Sequence, residues 1–314
     1  MPQQSFTYTE QFDWPQLPVG WSFHEVVDVV VDRQDRVYVF TRGEHPMIVF
    51  AQDGTFLASW GEGIFTRPHG LTLAPDGNSL WCTDDEAHAI YQFSLDGELL
   101  TTIGTPGQGA PAHSGQPFNK PTKIAFDPKT GDLYISDGYG NARIHKFTVD
   151  GRHLFSWGDF GVEAGQFNLP HSVCTDAQGR VYVADRENHR VQVFDDQGNY
   201  LTQWNNLHRP CAFHIEDDLA YVGQLPSHLD VNLKFPNIGA CVTIHDLSGR
   251  QLARIGDAHR GEGPNQYTAP HGIAVDSRGD LYLAEVSYSA YGRLLDPPRT
   301  ARSFRKLVKL GTGD

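Results

Sequence analysis

Residues 170–204 read PHSVCTDAQGRVYVADRENHRVQVFDDQGNYLTQW. A short apolar run opens the stretch, the turn Asp176-Ala177-Gln178-Gly179 follows, and VYVAD resumes an extended pattern. A polar tip, DRENH, leads into VQVF, a second D-x-x-G turn at Asp195–Gly198, and a last run that ends at Trp204. Each glycine supplies the positive φ that a tight hairpin requires. The stretch therefore predicts four short antiparallel strands.

The same plan starts again at Val26, Pro68, Pro121 and Pro270, and in degenerate form at Pro210, which makes six units. Strands this short, recurring with a period of roughly 40–60 residues, are the mark of a β-propeller. No helical periodicity is sustained. The expectation is an all-β, six-bladed propeller forming one domain over residues 1–314. The last unit runs out after KLVKL (306–310), one strand short, while SFTYTEQF (5–12) is an orphan strand-like segment. It is expected to complete blade six and close the ring, which removes two exposed sheet edges.

Composition narrows the function. The chain is 39% apolar and 11% aromatic, with 32 glycines and 19 prolines, as a turn-rich globular protein should be. Its formal charge of −13 argues against nucleic acid or an anionic membrane as partner. No apolar run reaches the ~18 residues of a membrane span. The first residues show neither the basic nor the apolar region of a secretion signal. Cys82, Cys174, Cys211 and Cys241 lack CxxC spacing, and Cys82 and Cys174 lie in apolar runs where buried free thiols are usual. These features predict a cytoplasmic location.

Pro68-His69, Pro170-His171 and Pro270-His271 open units two, four and six, and the histidines are 102 and 100 residues apart. In a propeller the first strand of each blade lines the channel, and alternate blades of six lie roughly 120° apart. Three imidazoles then converge on the axis, a donor set that suits zinc with a fourth position open. A lone histidine at a strand start would more simply cap a carbonyl. Units three and five carry Thr122 and Cys211 at this place, so the repeat does not need the histidine. His88, His145 and His189 fall in tips or outer strands and are expected at the surface.

A second set follows the second strand of each unit. Arg42 (TRGEH) and Arg186 (DRENH) are in register, and Tyr139 (DGYGN) lies one step further on. Two guanidiniums and a phenol near a metal would serve an anionic substrate and a proton transfer. Equally, Arg186 could pair with Asp185 or Glu187 and stiffen the blade. Asp137, Asp185, Asn141 and Asn188 are read as turn-tying residues.

The segments KPTKIAFDPKTGDLYISDGYGNARI (120–144) and PHSVCTDAQGRVYVADRENHRVQVF (170–194) resemble the peptidyl-α-hydroxyglycine α-amidating lyases of the NHL repeat type, and the likeness extends over nearly the whole chain. The resemblance implies zinc on His69, His171 and His271, an active-site tyrosine at Tyr139 and active-site arginines at Arg42 and Arg186. It implies cleavage of the C–N bond of a carbinolamide to an amide and glyoxylate. The substrate would be a small molecule or short peptide with a carboxylate. Gly140 and Val193 stand where the family has cysteines, so its disulfides are absent, and no monooxygenase domain is expected beside the six blades. Ala269 replaces a family methionine. Gly272 replaces an aspartate that helps hold a structural calcium, which leaves calcium undecided here.

Three other readings fit parts of the pattern. One is a non-catalytic NHL scaffold for protein or RNA, although the acidic chain lacks a basic face for RNA. Another is a calcium-dependent hydrolase of the gluconolactonase or paraoxonase kind, whose metal is held by carboxylates and asparagines. The third is a zinc-dependent lyase or hydrolase of a small carboxylate metabolite on the same histidines.

Overall fold

The second strand of each unit is apolar on both faces, and the reason is that it lies between two neighbouring blades. Val181–Asp185 is buried throughout, and so are Val37–Thr41, Leu133–Asp137 and Leu281–Glu285. The fourth strands face outward at the rim, and Tyr200–Trp204 is mostly exposed. In the computed structural model, which describes residues 6–311, these strands form six four-stranded antiparallel sheets arranged as a propeller ring. One short α-helix, Ser287–Ala290, is present among the described residues, and no helix there is long and apolar enough to cross a membrane.

The D-x-x-G turns that follow the first strands share one construction. In blade four Asp176 Oδ1 accepts the backbone N–H groups of Gln178 and Arg180, and Tyr182 Oη donates to Asp176 Oδ2 at 2.9 Å. Tyr134 with Asp127 and Tyr282 with Asp276 repeat the contact. Gly179 has φ +84°, and the glycines ending the equivalent turns share the left-handed region. Packing between blades supplies the core. Ala125, Tyr134 and Ile144 of blade three meet Val181, Val183 and Phe194 of blade four in one of several such clusters.

A second repeated device fixes the segment that leads into each first strand. The last residue of the second strand accepts backbone N–H groups from that segment: Asp84 from Thr66 and Arg67, Asp137 from Asn119, Asp185 from Asn168. Glu285 does the same for Thr268 and Ala269 in blade six. Asn141 and Asn188 donate to Asp137 and Asp185, so these four residues have the turn-tying part that their place in the repeat predicts.

Blade six is composite, as expected. Tyr8–Gln11 pairs antiparallel with Phe304–Lys309, from Tyr8 opposite Lys309 to Gln11 opposite Lys306. Ser5, the first residue of the orphan segment, lies outside the described residues. The seam is also ionic. Arg305, fully buried, bonds Glu285 within the blade and Glu10 of the N-terminal strand at 2.9 Å, and Arg302 reaches Glu10 at 2.6 Å.

Removing residues 1–12 deletes that strand and leaves Arg305 with half its partners. Breaking a buried ion pair costs about 3–5 kcal/mol, and an unpaired edge invites association. The truncated protein should aggregate or melt roughly 10 °C lower, measured by size-exclusion chromatography and thermal denaturation. A monomeric truncation with an unchanged Tm would contradict this closure.

Candidate active site

The histidines reach the axis through a bulge. In blade two Pro68 pairs with Asp84 and Gly70 with Thr83, which leaves His69 as the extra residue, and the same shift falls at His171 and His271. A bulged residue leaves the ladder and turns its side chain away from the sheet. All three rings are buried, and each pair of ring centroids is 4.8 Å apart. One donor atom from each lies within 4.8 Å of the others, so the trio could hold a metal ion.

What orients them is the next blade. His69 Nδ1 lies 2.8 Å from the carbonyl of Thr122, His171 Nδ1 lies 3.2 Å from that of Cys211, and His271 Nδ1 lies 2.6 Å from that of Val27. Thr122, Cys211 and Val27 hold the histidine's own place in blades three, five and one. A carbonyl only accepts, so Nδ1 carries the hydrogen and Nε2 keeps its lone pair. Burial pushes all three imidazoles well below their ordinary pKa, and their neighbours add to it: His271, through the mutual exclusion of two charged rings, and Arg42 for His69, Arg186 for His171, Arg42 for His271. Neutral rings with free Nε2 atoms and tied Nδ1–H groups are what a zinc site needs. Cys211 Sγ lies 3.8 Å from His171 Nε2, but burial pushes this thiol up to about 12, and it stays protonated.

Tyr139 lies over this trio. Its Oη is 3.1 Å from His69 Nε2 and 3.2 Å from His171 Nε2. The flanking glycines make that approach possible. A Cβ at Gly138 would come within 2.2 Å of the Pro170 carbonyl oxygen, and one at Gly140 within 2.0 Å of Asn119 Oδ1.

The two arginines singled out by register are both at the site, and each is also ion-paired. Arg186 lies 5.6 Å from the Tyr139 ring centroid and donates from Nε to Glu187 Oε1 at 2.7 Å. Arg209 grips the same carboxylate through Nε and Nη2. Burial opposes the charge of Glu187, but Arg209 and Arg186 carry its pKa down to about 2. Burial also opposes the Arg186 charge, and the acidic groups beside it, Tyr139 first and then Glu187 through its direct hydrogen bond, outweigh burial and raise the pKa. Arg42 donates to the Pro68 carbonyl at 3.0 Å and to Glu25 at 3.4 Å, while its Nη2 has no partner among the described residues. Burial lowers the Arg42 pKa against the pull of Glu25.

Sequence reasoning missed Arg67 and Asp85. Arg67 lies 5.9 Å from the Tyr139 ring centroid and pairs with Asp85. Burial pushes Asp85 up to about 6 against Arg67 and Arg42. Both had a signal: Asp85 holds in blade two the place of Arg42 and Arg186, and Arg67 directly precedes Pro68-His69. The surface assignment of His145 is corrected. Its strand, Arg143–Phe147, is the third of blade three and is covered, and His145 is fully buried between Asp137 at 3.1 Å and Ser156 at 2.6 Å. His189 is exposed and His88 half-buried.

A cavity of about 780 Å³ opens beside Arg186, between the segment after Leu225 and the Ser287–Ala290 helix. Leu225, Pro226, Phe235 and Ile238 give it apolar walls, and Arg209 and Arg260 give it positive charge. It has the size and the mixed lining of a small-molecule site.

Comparison with known proteins agrees with this architecture. The human NHL repeat-containing protein 3 is 34% identical over 90% of this chain and 82% of its own length. The Drosophila melanogaster peptidyl-alpha-hydroxyglycine alpha-amidating lyase 1 is 33% identical over 73% of this chain, which spans 44% of that protein. Virginiamycin B lyase from Staphylococcus aureus superposes with a TM-score of 0.60 over 89% of this chain and 82% of its own, at 16% identity, a likeness of fold alone. The NHL repeat pattern itself matches residues 118–147 and 167–194. With six blades of one plan and a relative this similar over nearly its whole length, the chain belongs to the NHL repeat family.

Proposed function

We propose that this protein is a zinc-dependent lyase that cleaves the C–N bond of a carbinolamide, R-CO-NH-CH(OH)-COO⁻, to the amide R-CO-NH2 and glyoxylate. The observation that carries the reading is the Tyr139 hydroxyl, 3.1 and 3.2 Å from the free Nε2 atoms of His69 and His171. A phenol placed over a neutral three-histidine set combines a proton acceptor with a metal position, as the reaction needs. The lyase name of a relative 33% identical supports the same chemistry.

The residues divide the work by geometry. A zinc ion on His69, His171 and His271 would supply Lewis acidity beside the substrate hydroxyl. Tyr139 Oη takes the hydroxyl proton, and the electron pair left on oxygen forms the aldehyde as the C–N bond breaks. The expelled amide nitrogen takes up one proton, so atoms and charge balance. To take that proton Tyr139 acts as the phenolate, whose negative charge Arg186, against the Tyr139 ring, balances until the proton arrives, and the phenol then returns the proton to the amide nitrogen. Arg42, whose Nη2 has no partner among the described residues, holds the carboxylate. The acyl group, small or a short peptide, lies in the cavity beside Arg186. Four free cysteines suit a reducing, cytoplasmic compartment.

Wild-type protein should bind about one zinc per chain, and His171→Ala should lose most of it, because a tripod does not survive removal of a leg. Elemental analysis reads this out, and equal metal in both proteins would sink the tripod. Tyr139→Phe should keep its zinc and its fold, yet release glyoxylate from an N-acyl-α-hydroxyglycine at least ~10²-fold more slowly. Retention of more than about a tenth of the activity would remove the phenol from the chemistry. Wild-type protein that releases no glyoxylate from such substrates would overturn the lyase reading.

A further inference from the structure

Directly behind the tripod the channel holds a buried ion pair. Asp28 follows Val27, whose carbonyl orients His271, and its carboxylate accepts the backbone N–H groups of Val29 at 2.9 Å and Leu71 at 2.7 Å. Lys123 Nζ donates to Asp28 Oδ2 and, at 2.6 Å, to the carbonyl of Leu71. One ammonium thus joins blades one, two and three on the propeller axis. A carboxylate and a backbone carbonyl facing each other across a buried space are hard oxygen donors of the kind that bind calcium. Here a lysine fills the space between them.

The aspartate that the resemblance to the amidating lyases implies after the third histidine has no room in this chain. A Cβ at Gly272 would lie 2.4 Å from Asp28 Oδ1 and 2.7 Å from Asp28 Cα. Asp28 comes instead from the adjacent blade, and its charge is already met. Burial pushes the Asp28 carboxyl up, and Lys123 is the first group that opposes it. Lys123, Phe213 and Ile273 line both the small chamber under the histidines and a second cavity of about 560 Å³.

We infer that Lys123 is a resident cation that replaces a divalent ion on the axis. It ties three blades together behind the tripod, so this protein needs no calcium. The inference stands apart from the lyase reading, because its readout is stability and calcium content.

The test compares zinc-loaded wild type, Lys123→Met and the double variant Asp28→Asn/Lys123→Met, melted in calcium-free buffer and with about 5 mM calcium chloride, above the weak-site range. Wild type should contain no calcium by elemental analysis and should melt at the same temperature in both buffers. Lys123→Met should lose roughly 5–10 °C in the absence of calcium, since it strands a buried carboxylate. Calcium should restore part of that loss, while the double variant should regain most of it and ignore calcium. Stoichiometric calcium in wild type, or a Tm that rises with calcium, would overturn the inference. So would a Lys123→Met protein as stable as wild type. If Lys123→Met does not fold, the wild-type arms and the double variant decide the matter.

Discussion

Everything at the centre of this propeller depends on one contact made three times: a histidine Nδ1–H given to the carbonyl of the next blade. The contact fixes the tautomer, aims Nε2 at the axis, and couples each histidine to the stacking of two blades. Its consequences reach the rim. His271 belongs to blade six and Val27 to blade one, so this hydrogen bond joins the blade that the N-terminal strand completes to the next blade of the ring. The closing blade thus also carries one of the three histidines.

Charge is distributed against the character of the whole chain. A protein with a formal charge of −13 gathers Arg42, Arg67 and Arg186 around a single tyrosine. Each guanidinium is steadied by an acid, Arg42 by Glu25, Arg67 by Asp85 and Arg186 by Glu187, which Arg209 shares. The pairing holds cations in place where burial disfavours them, and among the described residues it leaves Arg42 Nη2 without a partner, the donor proposed for the substrate carboxylate. Behind the histidines a fourth cation, Lys123, is matched by Asp28. Burial first, and then the arginines beside the three imidazoles, with Lys123 behind His271, disfavour their charged form.

The fold was legible because propeller repeats write the same local chemistry six times. The D-x-x-G turns, the two-blade interval of the Pro-His pairs and the missing last strand are all matters of register, and register survives in a linear text. The site was legible where it followed register, at Arg42, Arg186 and the histidines. It was not where residues meet through loops of different blades. No spacing links Glu187 to Arg209, or Lys123 to Asp28, which are 95 residues apart in the chain. His145 was misread because an alternating strand shows which residues share a face and not what covers that face.

The central claim is that three Nε2 atoms from alternate blades hold one zinc ion. X-ray absorption at the zinc edge of the purified, zinc-loaded protein tests it most directly. The account predicts three imidazole nitrogens at about 2.0–2.1 Å and one further exchangeable oxygen ligand. A sulfur scatterer at about 2.3 Å, which would bring in Cys211, or a shell of oxygens alone, would contradict it.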